Sequence, residues 1–145
     1  MRGDLVSHML DKLLLLGLVR KEEPFGMKKS KDPHYVIGDR LLASYFAFVY
    51  PEYADMAAKD IDAAYGALME RLDGYLGHVF EDICHEFIRL NGFPRSGRWW
   101  KGPVEIDMIA VSGDTMLFAE CKYRNEPTDA DLIDSIIEKS KMVDT

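Results

Sequence analysis

Apolar residues recur at helical spacing near the start of the chain. Leu5, Val6, Met9, Leu13 and Leu16 share one face, which predicts a helix over residues 4–16. Gly17 suits the left-handed position that ends a helix. A short strand, Leu18 to Glu22, is predicted next. A polar loop containing Gly26, Lys28, Lys29, Lys31 and Pro33 leads to a second strand, His34 to Ile37. Helix, strand, basic loop and strand are the trailing part of a winged helix. Asp39 can cap a further helix over residues 40–50, almost entirely apolar and stopped at Pro51. Residues 52–73, rich in Ala, read as a helical connector.

From Tyr75 the pattern sharpens. Leu76, Val79, Phe80, Ile83, Phe87 and Leu90 predict a helix over 75–90 with one apolar face, ended by Asn91-Gly92. Arg98-Trp99-Trp100, Val104–Val111 and Thr115–Tyr123 read as strands, the last two joined by Ser112-Gly113-Asp114. Thr128 is the expected cap of a final helix over 128–141, with Leu132, Ile133, Ile136 and Ile137 on its apolar face. The order over residues 75–145 is α-β-β-β-α, so an α/β (α+β) fold is expected. The domain reading is a winged-helix remnant at 1–38, a helical connector at 39–74 and a sheet-containing domain at 75–145.

Composition narrows the function. Nearly half of the 145 residues are hydrophobic, enough for a core. No apolar run is long enough to span a bilayer, so no membrane partner is expected. Cys84 and Cys121 lack metal-type spacing and read as buried thiols of a cytoplasmic protein. The net charge of −7 is uneven: residues 1–50 carry 8 Lys+Arg against 6 Asp+Glu, and residues 51–145 carry 10 against 19. An acidic body disfavours avid nonspecific DNA binding.

The chemistry concentrates on the second hairpin. With Gly113-Asp114 at the centre of a tight turn, residues whose numbers sum to 227 oppose each other. Asp107 then faces Glu120, and Glu105 faces Lys122. Alternation places residues 105, 107, 109 and 111 on one face with 116, 118, 120 and 122. Two opposed carboxylates on a half-buried sheet repel. A divalent cation such as Mg²⁺ or Mn²⁺ would offset that repulsion, and Lys122 could support a water or phosphate beside it. The bland reading is a surface patch in which Glu105 pairs with Lys122 and Asp107 is solvated.

Glu105-Ile106-Asp107, a hairpin, and Glu120-Cys121-Lys122 resemble the PD-(D/E)xK nuclease superfamily, whose core is α-β-β-β-α-β. The longer run GRWWKGPVEIDMIAV…LFAECKY, preceded by GHVFEDICHEF, resembles the domain of unknown function 234 found behind archaeal AAA-type ATPase modules. The resemblance implies Asp107 and Glu120 as metal ligands, Lys122 as the catalytic lysine, Glu81 as an extra acidic residue and the Cys121 carbonyl as a further ligand. Ile106 stands where the motif has proline, and the final core strand is missing. The implied activity is a metal-dependent DNA endonuclease. The alternative is an inactive DNA-binding or assembly module. The implied ATPase module lies outside this chain.

Lys28, Lys29 and Lys31 are the candidate DNA-touching residues, with a solvated loop as the simpler reading. Trp99 and Trp100 could stack on bases but fit a structural role better. His78 and His85 are too far apart in sequence to form a direct i, i+4 metal pair and read as packing or exposed residues. Cys84 reads as an inert thiol. The apolar helix at 40–50 and the incomplete sheet predict association with a second copy.

Overall fold

The computed structural model describes residues 2–58 and 60–143. The chain divides into two compact units, residues 1–23 with 29–72, and residues 24–28 with 73–145.

In the first unit, helix α1 (Arg2–Leu15) leads into β1 (Val19–Glu22), which pairs antiparallel with β2 (His34–Ile37). Gly17, at φ 70°, ends α1 as expected. Its N–H donates to the Leu14 carbonyl and the Leu18 N–H to the Leu13 carbonyl, the bonding of a Schellman turn. Asp39 caps α2 (Arg40–Ser44) by accepting from the Leu42 N–H at 2.7 Å. The apolar stretch then widens into π-helical turns at Tyr45–Val49, so the predicted single helix changes hydrogen-bond register. Tyr45, Phe46 and Tyr50 stand exposed with ring centroids 5.4–6.5 Å apart. Helix α3 (Tyr53–Ala57) is short. Glu52 is buried and paired with Arg71 at 2.5 Å.

Helix α4 (Ile61–Leu90) is continuous, and this corrects the predicted break near residue 74. Gly74 and Gly77 do not interrupt it. The second unit holds a meander of β3 (Arg95–Lys101), β4 (Val104–Ser112) and β5 (Thr115–Ala119), in spatial order β3-β4-β5. Helix α5 (Asp131–Ser140) packs on β4 and β5. It starts later than expected and takes no side-chain cap from Thr128. No helix among the described residues is long and apolar enough to cross a membrane.

The β4–β5 register follows the expected turn: Met108 opposes Ala119, and Ser112 opposes Thr115. Gly113 takes a positive φ of 55°, as a tight hairpin turn requires. The β3–β4 pairing contains an irregularity. Gly97 opposes Ile109 and Trp99 opposes Ile106, so Asp107 and Met108 together oppose Arg98. The extra residue is a β-bulge on β4, a device that interrupts pairing and re-aims a side chain.

The bulge corrects the predicted alternation. Ile109 does not share a face with Asp107 in a regular 105-107-109 row. It packs in one cluster with Ile106 and Trp99, joined by Val104, Phe118, Phe25 and Val143. Parity changes between Ile106 and Ile109, where the bulge lies. Phe25 reaches this cluster from the Pro24–Lys28 segment, its N–H donating to the Arg98 carbonyl at 2.7 Å. A Cβ on Gly97 would lie 3.1 Å from the Phe25 ring, so glycine makes room for it. Trp99 and Trp100 are buried and unavailable for base stacking.

The face assigned to residues 75–90 also changes. Ile83, Phe87 and Leu90 are exposed, whereas Glu81, Cys84, His85 and Ile88 are half-buried. The helix turns a mixed face inward because the sheet offers polar partners there. The inward set gives a direct test. Ile109→Ala should destabilise the protein by about 2–5 kcal/mol in urea denaturation, since Ile109 has no exposed surface and packs in the core cluster. Phe87→Ser should change stability by no more than about 0.5 kcal/mol. Equal losses would mean that the helix face has been assigned the wrong way round.

Candidate metal and phosphate site

Strand β5 ends at Ala119, four residues earlier than the predicted strand end at Tyr123. The reason is local. Past Ala119, the Cys121 N–H donates to Asp107 Oδ2 at 2.8 Å, so a side-chain oxygen replaces the expected ladder partner. Asp107 therefore holds the chain that carries Glu120 and Lys122. Lys122 Nζ lies 3.1 Å from Glu120 Oε2 and 3.4 Å from Asp107 Oδ2. A single ammonium thus touches both carboxylates. Lys139, on α5, places Nζ 2.5 Å from Glu120 Oε1. The Glu120 side chain is only 4% exposed, so both of its oxygens are spent on lysines in a poorly solvated place.

Burial pulls the Lys122 pKa down, but the hydrogen bond to Glu120 and the charges of Asp107 and Glu120 outweigh it. The net effect is a raised pKa, and Lys122 is an ammonium at neutral pH. The Cys121 thiol is pushed up to about 12 by burial, by the neighbouring Cys84 thiol and by the nearby Asp107 and Glu81 charges. It is a neutral thiol, so the part of Cys121 able to meet a hard cation is its backbone carbonyl.

A cleft of about 680 Å³ opens beside these groups, lined among others by Glu105, Asp107, Glu120, Glu138, Lys139 and Lys141. Lys141 is tied to Glu138 at 2.6 Å.

The bulge leaves the backbone of Asp107 in need of a partner, and His85 provides it. Nε2 of His85 lies 3.1 Å from the Asp107 carbonyl, and Nδ1 lies 3.2 Å from Ser96 Oγ. A carbonyl only accepts, so Nε2 carries the proton, and in the neutral ring Nδ1 accepts from the serine hydroxyl. Burial lowers the pKa of His85; the Asp107 carbonyl and Asp82 oppose the shift, and Arg98 and Arg89 add to it.

The family profile of DUF234, described as archaea bacterial proteins of unknown function, matches residues 45–133. The chain belongs to this family. It is also similar to an uncharacterized protein of Methanocaldococcus jannaschii, MJECL04, with 29% identity over 134 residues. That alignment covers 85% of this chain and 30% of the relative, so the chain spans about a third of that protein's length. No solved structure matches.

Within this DUF234 chain, Asp107, Glu120, Cys121 and Lys122 come together. The Glu81 carboxylate pairs with Arg98 and lies 3.7 Å from His78 Nδ1. It sits near enough for its charge to reach Cys121. Lys28, Lys29 and Lys31 are exposed on the loop between β1 and β2. Sequence reasoning missed Lys139 and undervalued His85. Lys139 is the next-to-last residue of a modest helix, with no motif around it. For His85 the available signal was its place one turn after Glu81, on the face that holds Cys84.

The donor set supports a divalent cation of one kind. Asp107 and Glu120 are hard oxygen donors that already share one cation, the Lys122 ammonium. Among the described residues no group of three or more His, Cys, Asp and Glu side chains gathers as a metal cage. Mg²⁺ sites of the open type use one or two carboxylates and complete the shell with water and substrate phosphate. The residues present fit that type and do not fit a closed protein cage.

His85→Ala would leave the Asp107 carbonyl and Ser96 hydroxyl without this partner, at a cost of about 1–3 kcal/mol. The cost should depend on pH. Because the folded-state pKa is below the ordinary 6.5, the unfolded chain takes the proton first as pH falls. The stabilisation is complete above about pH 6.5 and is lost through the acid range below it. Urea denaturation in chelator should show the gap between wild type and His85→Ala narrowing from pH 8 to pH 5. A constant gap would mean that His85 does not titrate as a buried neutral ring.

Proposed function

We propose that this chain carries a divalent-metal-dependent DNA phosphodiesterase domain, endonuclease-like, of the PD-(D/E)xK type. The observation that carries the reading is a single ammonium, Lys122 Nζ, in contact with both Asp107 and Glu120 on adjacent arms of a hairpin, beside an open cleft. A cation already stands where the carboxylates need one.

In this reading Asp107, Glu120 and the Cys121 carbonyl hold Mg²⁺ or Mn²⁺. The bound ion would polarise a phosphate oxygen and acidify a water. Lys122 then offers its ammonium to the charge that develops on the phosphate, a contribution that grows in a partly desolvated site. Glu81, through Arg98, braces α4 against β3 rather than joining the ligand set. The β1–β2 hairpin with Lys28, Lys29 and Lys31 would be the DNA-touching part of a winged-helix remnant. An ATPase module elsewhere in a longer protein, a cytoplasmic location and self-association belong to the same proposal.

A second reading is favoured by a specific observation. Both oxygens of Glu120 are already neutralised by lysines, which is also how a fold without turnover would tolerate a buried carboxylate. The domain would then be a DNA-binding or assembly module.

Nicking of supercoiled plasmid in Mn²⁺ separates the two. Wild type should cleave, and Lys122→Ala should lower the rate by about a hundredfold or more. Asp107→Asn should also abolish cleavage. Absence of Mn²⁺-dependent nicking in a folded wild-type protein, with retained DNA binding, would favour the module.

A further inference from the structure

We infer that Lys139 is a resident counter-ion of Glu120 that a divalent cation displaces, and that the freed ammonium then binds an anionic phosphate group in the adjacent cleft. This rests on the reading that Asp107 and Glu120 hold the cation.

The two lysines on Glu120 are held differently. Lys122 is anchored twice, to Glu120 and to Asp107, and its neighbour Cys121 is pinned to Asp107 through the backbone. It keeps an anchor if one carboxylate is taken. Lys139 is bonded to Glu120 Oε1, from the last turn of α5. A divalent ion that uses Glu120 as a ligand places two positive charges beside that ammonium. The pair at 2.5 Å then becomes the weaker contact and opens.

Lys139 has somewhere to go. Its side chain is partly exposed and lines the cleft that also borders Asp107 and Glu120. The four-carbon stem lets Nζ move without moving α5. Glu105 and Glu138 also line that cleft, and Lys141 is engaged by Glu138, so Lys139 is the ammonium that cation binding sets free. Once the ion has neutralised the carboxylates, a phosphate in the cleft meets the freed Lys139, while Lys122 stays anchored beside the carboxylates.

The charges make the arrangement self-consistent. Without the ion, Glu105, Asp107, Glu120 and Glu138 exceed Lys122, Lys139 and Lys141 by one negative charge. With it, the site is positive by one, matched to a single phosphodiester. Cation and anion should therefore bind cooperatively, each favouring the state in which Lys139 has left Glu120.

The test uses the full chain with Mn²⁺ alone, monitored by the electron paramagnetic resonance of the free ion, and a short fluorescent DNA duplex in Ca²⁺. Lys139→Met removes the competing charge and keeps the stem. It should bind Mn²⁺ about threefold tighter than wild type or more, and bind the duplex about threefold weaker or more. Lys139→Arg should stay near wild type in both. Lys139→Gln gives the same comparison if the Met variant fails to fold. A Lys139→Met protein that binds Mn²⁺ no tighter than wild type, or binds the duplex equally well, overturns the proposal. Glu120→Gln shows which idea has failed. If it loses Mn²⁺ while Lys139→Met is unchanged, the metal site stands and the role of Lys139 falls. If it binds Mn²⁺ like wild type, both fall.

Discussion

The second unit is organised by one residue used twice. The carboxylate of Asp107 accepts from the Cys121 N–H, and the carbonyl of Asp107 accepts from His85. The first bond ends the β4–β5 ladder at Ala119 and sets the path of Glu120 and Lys122. The second joins α4 to the middle strand at the bulge. The second is made at the extra residue in β4. In a regular ladder the Asp107 carbonyl would have a strand partner, and His85 would have no acceptor there. The bulge therefore couples helix placement to site geometry, and a change on either side is felt on the other.

This arrangement explains why a buried carboxylate can persist. Glu120 is nearly excluded from water, and leaving it unpaired would cost several kcal/mol. Lys122 and Lys139 come from different elements, one just past β5 and one from α5. Packing α5 on the sheet thus brings Lys139 to Glu120 and completes its neutralisation in the ion-free protein. The apolar side of that packing is modest: Ile133 and Ile137 remain exposed on α5. The Lys139–Glu120 pair accordingly matters more to the position of α5 than an exposed ion pair would.

Much of this was legible in the chain. Gly17 and Asp39 ended and started helices through bonds that their own chemistry dictates, and Gly113 fixed the β4–β5 register at a sum of 227. Turn chemistry is local, so it can be read without knowing the fold. The bulge was not legible, because Val104–Val111 alternates well enough to hide one extra residue. Its cause lies in β3 and in His85, distant in sequence. The same holds for α4: Ile83, Phe87 and Leu90 have the spacing of a core face, yet the sheet selects Glu81, Cys84 and His85. Periodicity names an apolar stripe; it does not name the partner that will meet it.

The family match and the geometry constrain function from different directions. Membership in a family of unknown function transfers no activity, so any claim has to rest on what Asp107, Glu120 and Lys122 can do. Three features decide which chemistry is reasonable. The donors are carboxylate oxygens, the neighbouring thiol is neutral, and Lys122 is held charged. A neutral thiol argues against nucleophilic cysteine chemistry, since the thiolate is the reactive form. His85 is committed through Nε2 to a backbone carbonyl, so it is poorly placed to serve as a general base. With those two groups set aside, what remains is an oxygen site for a cation and ammoniums for an anion. That combination suits phosphate, and it is the reason we propose a phosphodiester, not an acyl or sulfur compound, as the substrate.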